Sequence, residues 1–393
     1  MKKRALFLFL LIGTLVSAQS ADPVVLSYQR NFIRASMSTK IELLNDASRI
    51  STVNMTPLYL DAMQFVLQTL PVLGTDSQLM DLAAAAAQRV AAWPDQSVLP
   101  VLKVLFENVP DPRPRIACLE TFAVLASDNE EYIGFLSNWL STSLDALDQG
   151  KTVDLRSATA CAAVLGKMGS VVSFPVLFRG SSGQYDTGLV KASETAVNQI
   201  QNGYADAVLG KIADRDISIV HKAFSLSRKK SDLSSADSGR IAEAVFSRSV
   251  AVLSESGSIP NRLVSQMTTD SMELLTRLKW SNASPMVVKY FYAVQGEYKT
   301  GKASVESLVP VVGCLGAMGT NEAAQALSIF LGLLNSETEQ KKTFNEQLML
   351  ALIQALGDLG DKTAFDYLLY VGYLEYPESV KKASRDALAR LQW

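Results

Sequence analysis

Apolar residues recur every three or four positions along most of the chain, and the segment 346–359 shows this pattern clearly. Leu348, Leu352 and Ala355 fall on one side of a helix, and further apolar residues widen that side until only a narrow polar edge remains. Because a single neighbour cannot cover such a helix, the pattern predicts helices that pack against others on several sides.

A short turn follows this helix and leads into a second apolar segment. Gly357 and Gly360 are small residues that let the chain turn closely and permit positive φ angles, and Asp361 is placed to cap the next helix. The second helix is predicted over 363–374. The segment 346–374 is therefore expected to form two antiparallel helices joined by a tight turn.

The same unit occurs more than once in the chain. The turn pattern L-G-x-[LM]-G or a close relative of it lies at 356–360, at 315–319 and at 165–169, with a weaker copy at 122–126. No stretch shows the alternation of apolar and polar residues that is typical of strands. The sequence therefore predicts an all-α protein, specifically an α-solenoid of about nine stacked antiparallel helix pairs.

The regularity of the pattern varies along the chain and suggests a division into parts. The segment 227–240 is polar and rich in Ser, and we expect an exposed loop there. The parts are 1–18, a signal peptide; 19–55, an N-terminal segment with a capping helix; 56–200, regular repeats; 201–302, irregular helical repeats; and 303–393, regular repeats with a polar C-terminal capping helix.

Two of these features resemble HEAT repeats. Copies of the turn lie 41 and 43 residues apart, and the helices at 190–200 and 380–391 share a K-A-S triplet followed by apolar residues at matching positions. The resemblance is strongest to the HEAT-like repeats of bilin-lyase proteins. It implies a solenoid whose second helices line a concave binding surface, and it transfers no catalytic residues because the motif contains none.

The first residues of the chain have the composition of an export signal. Lys2, Lys3 and Arg4 precede an apolar stretch of 12 residues and the small residues around Ala18, where we expect cleavage, with Ser20 as the alternative site. Removing residues 1–18 takes three basic and no acidic residues away and changes the net charge from −2 to −5. We expect an exported protein, in a bacterium a periplasmic one, that does not bind nucleic acid and is not an integral membrane protein.

The three cysteines lie within apolar helical stretches. Cys118 and Cys161 stand at the same distance before the last small residue of their turns, so we expect them at equivalent places in neighbouring repeats. Neighbouring helices lie about 8–10 Å apart, whereas a disulfide needs Cα atoms within about 7 Å. The prediction is that both thiols, like Cys314, are buried and free.

Residues with obvious catalytic or metal-binding chemistry are few. The chain has one His, His221, in an apolar helical stretch, and a structural role fits it better than that of a general base. The glycine-rich segment 179–188 lacks the G-K-[ST] ending of a phosphate-binding loop and is interpreted as a connection. We therefore expect no catalytic, cofactor-binding or metal-binding residues.

Aromatic residues are the most suggestive candidates for a binding site. Tyr367, Tyr370 and Tyr373 recur every three residues, and Tyr132 and Trp139 lie on another predicted second helix. Tyrosines that combine an apolar ring with a polar tip suit partner surfaces. The alternative is that these rings fill gaps between repeats.

These observations favour a protein that acts by binding. The leading hypothesis is an exported, non-enzymatic scaffold that holds a protein or peptide partner on the concave face of a HEAT-like solenoid. The alternative is an enzyme of lyase or isomerase type built on such a solenoid, by analogy with bilin-lyase proteins.

Overall fold

The computed structural model describes residues 22–255 and 262–392, and these ranges are all-α. They contain 20 α-helices and five single turns of 3-10 helix, and their one β-type pairing is an isolated bridge between Asp361 and Gln392. The predicted signal peptide, 1–18, lies outside the described residues. The chain divides into two compact units, unit 1 (Met1–Gln199) and unit 2 (Ile200–Trp393).

Unit 1 contains ten helices. Their bounds are α1 Pro23–Arg34, α2 Met37–Ala47, α3 Thr56–Leu73, α4 Ser77–Arg89, α5 Leu99–Asn108, α6 Pro112–Leu125, α7 Glu130–Asp148, α8 Leu155–Met168, α9 Phe174–Ser182 and α10 Thr187–Gln199. The even-numbered helices contact one another in succession, and the odd-numbered helices α1, α3 and α5 do the same, as do α7 and α9. The rings of Phe106 and Phe135 join α5 to α7.

Unit 2 also contains ten helices. Their bounds are α11 Tyr204–Ile212, α12 Ile217–Lys229, α13 Ser235–Glu255, α14 Arg262–Leu278, α15 Ser284–Lys299, α16 Val305–Met318, α17 Asn321–Lys341, α18 Glu346–Leu359, α19 Phe365–Val371 and α20 Glu378–Leu388. The even-numbered helices from α12 to α20 contact one another in succession, α11 contacts α13, and α15, α17 and α19 form a second series. The apolar surface of each helix is thereby covered by several neighbours, as the sequence pattern requires.

The second glycine of the repeated turn ends a helix in the left-handed conformation. Gly169, Gly319 and Gly360 follow α8, α16 and α18 with φ angles of 65°, 66° and 65°. A residue with a Cβ atom would be strained at this angle. Asp361 caps the next turn by accepting a hydrogen bond from the backbone N–H of Thr363 at 2.9 Å, as the sequence predicts.

The first glycine of the turn has a different role, because it allows two helices to approach closely. A Cβ atom on Gly166 of α8 would lie 2.6 Å from the Cα of Ala196 on α10. A Cβ atom on Gly316 of α16 would lie 2.8 Å from the Cα of Ala355 on α18. The first glycine of the turn pattern therefore marks a close contact between alternate helices, and the second marks the end of a helix.

A pair of substitutions in α16 tests this close approach. We expect Gly316→Ala to lower the free energy of unfolding by about 1–3 kcal/mol, because the new methyl group overlaps the backbone of α18. Gly313 lies on the same helix, and a Cβ atom there meets nothing within 4 Å. We expect Gly313→Ala to raise stability by about 0.5–1 kcal/mol. Chemical denaturation measures both, and equal effects would contradict the close packing.

Asp111 begins α6 with a hydrogen-bonded cap. Its carboxylate accepts from the backbone N–H of Arg113 at 2.8 Å and from the guanidinium of the same residue at 3.1 Å. The hydrogen bond from the Arg113 side chain holds the pKa of Asp111 below its ordinary value. The charged carboxylate is thus the form that stabilises the fold.

This cap makes stability depend on pH in a known direction. Because the folded-state pKa is the lower one, the contribution is present above the unfolded-state pKa of about 3.9 and is lost as the pH falls through the folded-state value. We expect Asp111→Ala to lower the free energy of unfolding by about 1 kcal/mol at pH 7, and the deficit to shrink below pH 4. Asp111→Asn keeps a capping oxygen without a titrating carboxylate. The difference in free energy of unfolding between the Asn and Ala variants should therefore be the same at both pH values. Denaturation at pH 7 and pH 2.5 measures this.

The structure corrects several predicted boundaries. The segment 227–240 is mostly helical, because α12 extends to Lys229 and α13 begins at Ser235, so the prediction of a long exposed loop was wrong. Polar residues on the exposed sides of two helices produced that pattern. The helix predicted over 363–374 is shorter, Phe365–Val371, and a 3-10 turn precedes it. The N-terminal segment holds two helices, α1 and α2, instead of one.

The cysteine prediction is confirmed. Cys118, Cys161 and Cys314 are all free and fully buried. Burial raises the pKa of each thiol, that of Cys314 to about 11, because a thiolate would lose its hydration. The thiols act as small apolar groups in the core.

Candidate binding surface

The tyrosines of α19 and of the segment after it differ in their environment. Tyr370 and Tyr373 are exposed, Tyr367 is half-buried, and Tyr376, just beyond the helix, is buried. The Tyr376 hydroxyl lies 3.1 Å from the Asn335 side chain and 3.0 Å from that of Thr338, both on α17. Tyr376 therefore attaches the segment that follows α19 to helix α17. Tyr370 and Tyr373 are the tyrosines of this series that reach solvent.

The neighbouring helix α17 exposes Ile329 and Leu333 within a stripe of otherwise polar residues. Residues three or four positions apart are exposed along the helix, namely Glu322, Gln325, Ile329, Leu333, Ser336 and Gln340. The amide of Asn335 donates to the carbonyl of Tyr367 at 3.1 Å, so one side of α17 faces α19. The ring of Phe330 packs edge-on against Phe291 of α15 at 5.5 Å, so the other side faces α15.

The third helix, α15, runs parallel to α17. The hydroxyls of Ser284 and Thr320 lie 2.5 Å apart at the N-terminal ends of the two helices, and Phe291 meets Phe330 near the middle. Each residue turns a helix by about 100°. Tyr292 follows Phe291 by one step and Ile329 precedes Phe330 by one step, so both side chains lie on the same side of the helix pair.

Together these residues form one exposed surface of unit 2, which we call the tyrosine face. Its large side chains are Tyr292 on α15 (47% exposed), Ile329 (51%) and Leu333 (40%) on α17, and Tyr370 (40%) and Tyr373 (76%) at α19. Single exposed apolar side chains are normal on a protein surface, but a contiguous group is typical of an interaction site.

A glycine in the middle of α17 shapes the tyrosine face. A Cβ atom on Gly332 would lie 2.8 Å from the ring of Tyr367, so that ring lies directly against the helix backbone. Tyr367 thereby fills the gap between α17 and α19. A larger residue at position 332 would push this ring outwards.

The polar tip of Tyr370 is held in place by a neighbour. Its hydroxyl donates to a carboxylate oxygen of Glu339 at 3.1 Å. This hydrogen bond raises the pKa of Tyr370, because a phenolate would repel the carboxylate. The hydroxyl therefore remains protonated at neutral pH, and the ring presents an apolar edge in a fixed orientation.

The other two predicted residues belong to unit 1 and pack between helices. Tyr132 of α7 is 7% exposed and stacks on Phe122 of α6 at 5.5 Å. Trp139 is half-buried and packs edge-on against Phe106 of α5 at 5.0 Å. Both rings fill gaps between helices in this arrangement, so neither is assigned to the tyrosine face.

The ionisable side chains that the sequence singled out, His221 and the basic stretch 227–232, lie against other helices or in ion pairs. His221 is half-buried on α12. In the basic stretch 227–232, Lys230 is buried, with its ammonium 2.9 Å from Asp232, and Arg228 lies 2.5 Å from Asp270. In the part of the chain that the structure describes, no three His, Cys, Asp or Glu side chains are grouped as metal ligands. None of the described helices has the length and apolarity needed to cross a membrane.

Sequence reasoning missed Ile329 and Leu333. Both lie in the run 326–334, which is apolar apart from Ser328 and Gly332, so the pattern alone does not separate exposed from buried positions. Gly332 is the one local signal, because a glycine inside a helix often marks a close approach by a neighbour.

Comparisons with known proteins add no family assignment. A scan against models of protein families finds no match, and a search of curated proteins finds no significantly similar sequence.

Proposed function

We propose that this chain is an exported, non-enzymatic scaffold of the HEAT-like solenoid type, and that it binds a protein or peptide partner on the tyrosine face. The observation that carries the proposal is the group of five large apolar and aromatic side chains exposed on α15, α17, α19 and the turn after α19. Tyrosine rings contribute much contact area and lose little conformational freedom on binding, which suits them to partner surfaces.

The solenoid part of the proposal is supported by packing within each unit. Alternate helices contact one another in series, and the repeated glycines lie at the contacts between α8 and α10 and between α16 and α18. In HEAT-like solenoids the second helix of each pair lines the concave surface. The helices α15, α17 and α19 are second helices in this register, because α16 and α18 carry the glycine turns.

The location is proposed from residues 1–18 alone. Their basic start, apolar stretch and small residues are those of a signal peptide, and a bacterial periplasm fits the short basic start. The partner is then a protein of the cell envelope. The proposed activity is recognition without chemistry.

Affinity purification from a native envelope extract tests the proposed function. The bait is the protein without residues 1–18, and the control bait carries Tyr370→Ala and Tyr373→Ala. The proposal expects one or more partners that the intact bait retains and the control loses. A partner set that is the same for both baits would refute binding at the tyrosine face.

A further inference from the structure

The first helix of unit 1 is attached by few buried side chains. Of the 12 residues of α1, two are buried, Val25 and Phe32, whereas α4, which is 13 residues long, buries six. Three apolar side chains of α1 are instead exposed, namely Val24, Leu26 and Ile33. A segment with few buried apolar contacts opens at a lower free energy than the core of its domain. We therefore expect α1 to open more easily than α4.

Aromatic and polar contacts hold the inner side of α1 against α2 and α3. The ring of Phe32 packs edge-on against Phe65 of α3, with ring centres 6.0 Å apart. The side-chain amide of Gln29 donates to the carboxylate of Asp61, also on α3, at 2.7 Å. A further contact comes from α2, whose Lys40 side chain reaches back to the end of α1.

The Lys40 ammonium lies in a closed site at the end of α1. The residue is 4% exposed, and its ammonium donates to the carbonyl of Phe32 and lies 3.5 Å from the carbonyl oxygen of Ile33. Carbonyls in the last turn of a helix lack donors within the helix. The ammonium also lies 4.4 Å from the centre of the Phe32 ring and 4.8 Å from that of Phe65. Lys40 therefore joins α1, α2 and α3 at one point.

The same site carries an opposing cost. The groups that surround the Lys40 ammonium are carbonyls and aromatic rings, and not carboxylates. Removing an ammonium from water without a carboxylate partner costs free energy, and burial lowers the pKa of Lys40. When α1 moves away, the ammonium regains its hydration. Contacts favour the closed position of α1 and hydration favours the open one, so the two differ little in free energy.

The connection between α1 and α2 has the properties of a hinge. It consists of Ala35 and Ser36, which have extended backbone conformations, with φ and ψ of −75° and 154° and of −65° and 165°. The Ser36 hydroxyl accepts from the backbone N–H of Thr39 at 3.3 Å and thereby caps α2 without help from α1. Leu44 and Ala47 of α2 are fully buried. Helix α2 therefore stays in place when α1 moves.

We infer that α1 is a strap that opens at Ala35 and Ser36 while the rest of unit 1 stays folded, and that the Lys40 ammonium is the latch that holds it closed. The open strap uncovers the ring of Phe65 on α3 and frees Val25 and Phe32 on its own inner side. It adds a conditional apolar surface to unit 1, whereas the tyrosine face belongs to unit 2.

Modification of thiols by N-ethylmaleimide measures the opening. The test protein lacks residues 1–18 and carries Val25→Cys, which places a thiol on the inner side of α1. Cys118 and Cys161 are fully buried in the same unit and serve as internal controls, and peptide mass mapping gives a rate for each thiol. We expect the thiol at position 25 to react at least about a hundredfold faster than either control, because opening the strap costs less than unfolding the unit.

Lys40→Met tests the latch. Methionine keeps the apolar length of the side chain but donates no hydrogen bond, so the thiol at position 25 should react at least about tenfold faster, with the rate of Cys118 unchanged. Fraying of the first turn of α1 would not respond, because Val25 lies about two turns from the carbonyls that Lys40 contacts. Lys103→Met is the matched control. It removes an ammonium 4.8 Å from the centre of the Phe135 ring and should leave both rates unchanged.

Hydrogen exchange on the same chain without substitutions gives an independent measurement. Residues 23–34 should exchange at least about tenfold faster than residues 99–108 of α5. Equal exchange in the two helices, or equal reaction of Cys118 and the thiol at position 25, would overturn the strap. A Lys40→Met variant that leaves position 25 unchanged, or that speeds the reaction of Cys118 as much, would overturn the latch.

Discussion

Replacing Phe330 with alanine is expected to lower the free energy of unfolding by about 3–5 kcal/mol. The ring is 1% exposed and joins α17 to α15 through its edge-on contact with Phe291, so its removal leaves a cavity between the two helices. For a unit of this size the loss corresponds to a fall in the melting temperature of about 10 °C, measurable by circular dichroism.

A neighbouring residue provides the matched control. Ile329 precedes Phe330 on the same helix but is 51% exposed, so Ile329→Ala should change the melting temperature by no more than about 2 °C. A similar fall in melting temperature for both variants would mean that Ile329 is buried like Phe330. The tyrosine face would then be wrongly placed.

Replacing both Tyr370 and Tyr373 with alanine is expected to weaken partner binding by at least about 30-fold. Truncating a central tyrosine at an interface costs about 2 kcal/mol or more, which is roughly 30-fold in the dissociation constant. Neither ring is buried, so the melting temperature should stay nearly constant. Titration calorimetry with a partner recovered by affinity purification measures the change.

Two variants show whether this loss is specific. Val124→Ser alters an exposed apolar side chain of unit 1 and should leave binding unchanged. Tyr367→Ala should lower the melting temperature, because this ring lies against Gly332 inside the unit. Unchanged binding in the Tyr370 and Tyr373 double variant would remove the main support for the proposed function.

The all-α class and the helix turns could be predicted from the sequence because they depend on local chemistry. A helix with a wide apolar side must be covered, and a glycine at the end of a helix marks the left-handed turn at Gly169, Gly319 and Gly360. The burial of the cysteines followed from their apolar helical surroundings, and the repeat register argued against a disulfide between Cys118 and Cys161. These features need no knowledge of distant parts of the chain.

The tyrosine face could be predicted only in part, because the exposure of a side chain depends on which other helices pack against it. The spacing of Tyr367, Tyr370 and Tyr373 indicated a helix with exposed tyrosines, but it did not show that Tyr367 turns inwards onto Gly332. Tyr132 carries the same kind of side chain and is buried against Phe122. Composition alone does not separate these cases.

The same limitation explains the error at 227–240. Ser, Lys and Asp are common both in loops and on the solvent side of helices, and here they occupy the end of α12, the short connection 230–234 and the start of α13. Lys230 lies in the segment that was expected to be exposed, yet its side chain is buried beside Asp232, and its ammonium lies 5.1 Å from the centre of the Tyr204 ring.

Site-specific photo-crosslinking tests binding at the tyrosine face most directly. The photoreactive residue p-benzoylphenylalanine replaces Leu333 in one protein and Gly313, an open position on α16, in a control. Irradiation in an envelope extract should attach a polypeptide at position 333 and none at position 313. Crosslinks at both positions alike, or at 313 only, would contradict binding at this surface.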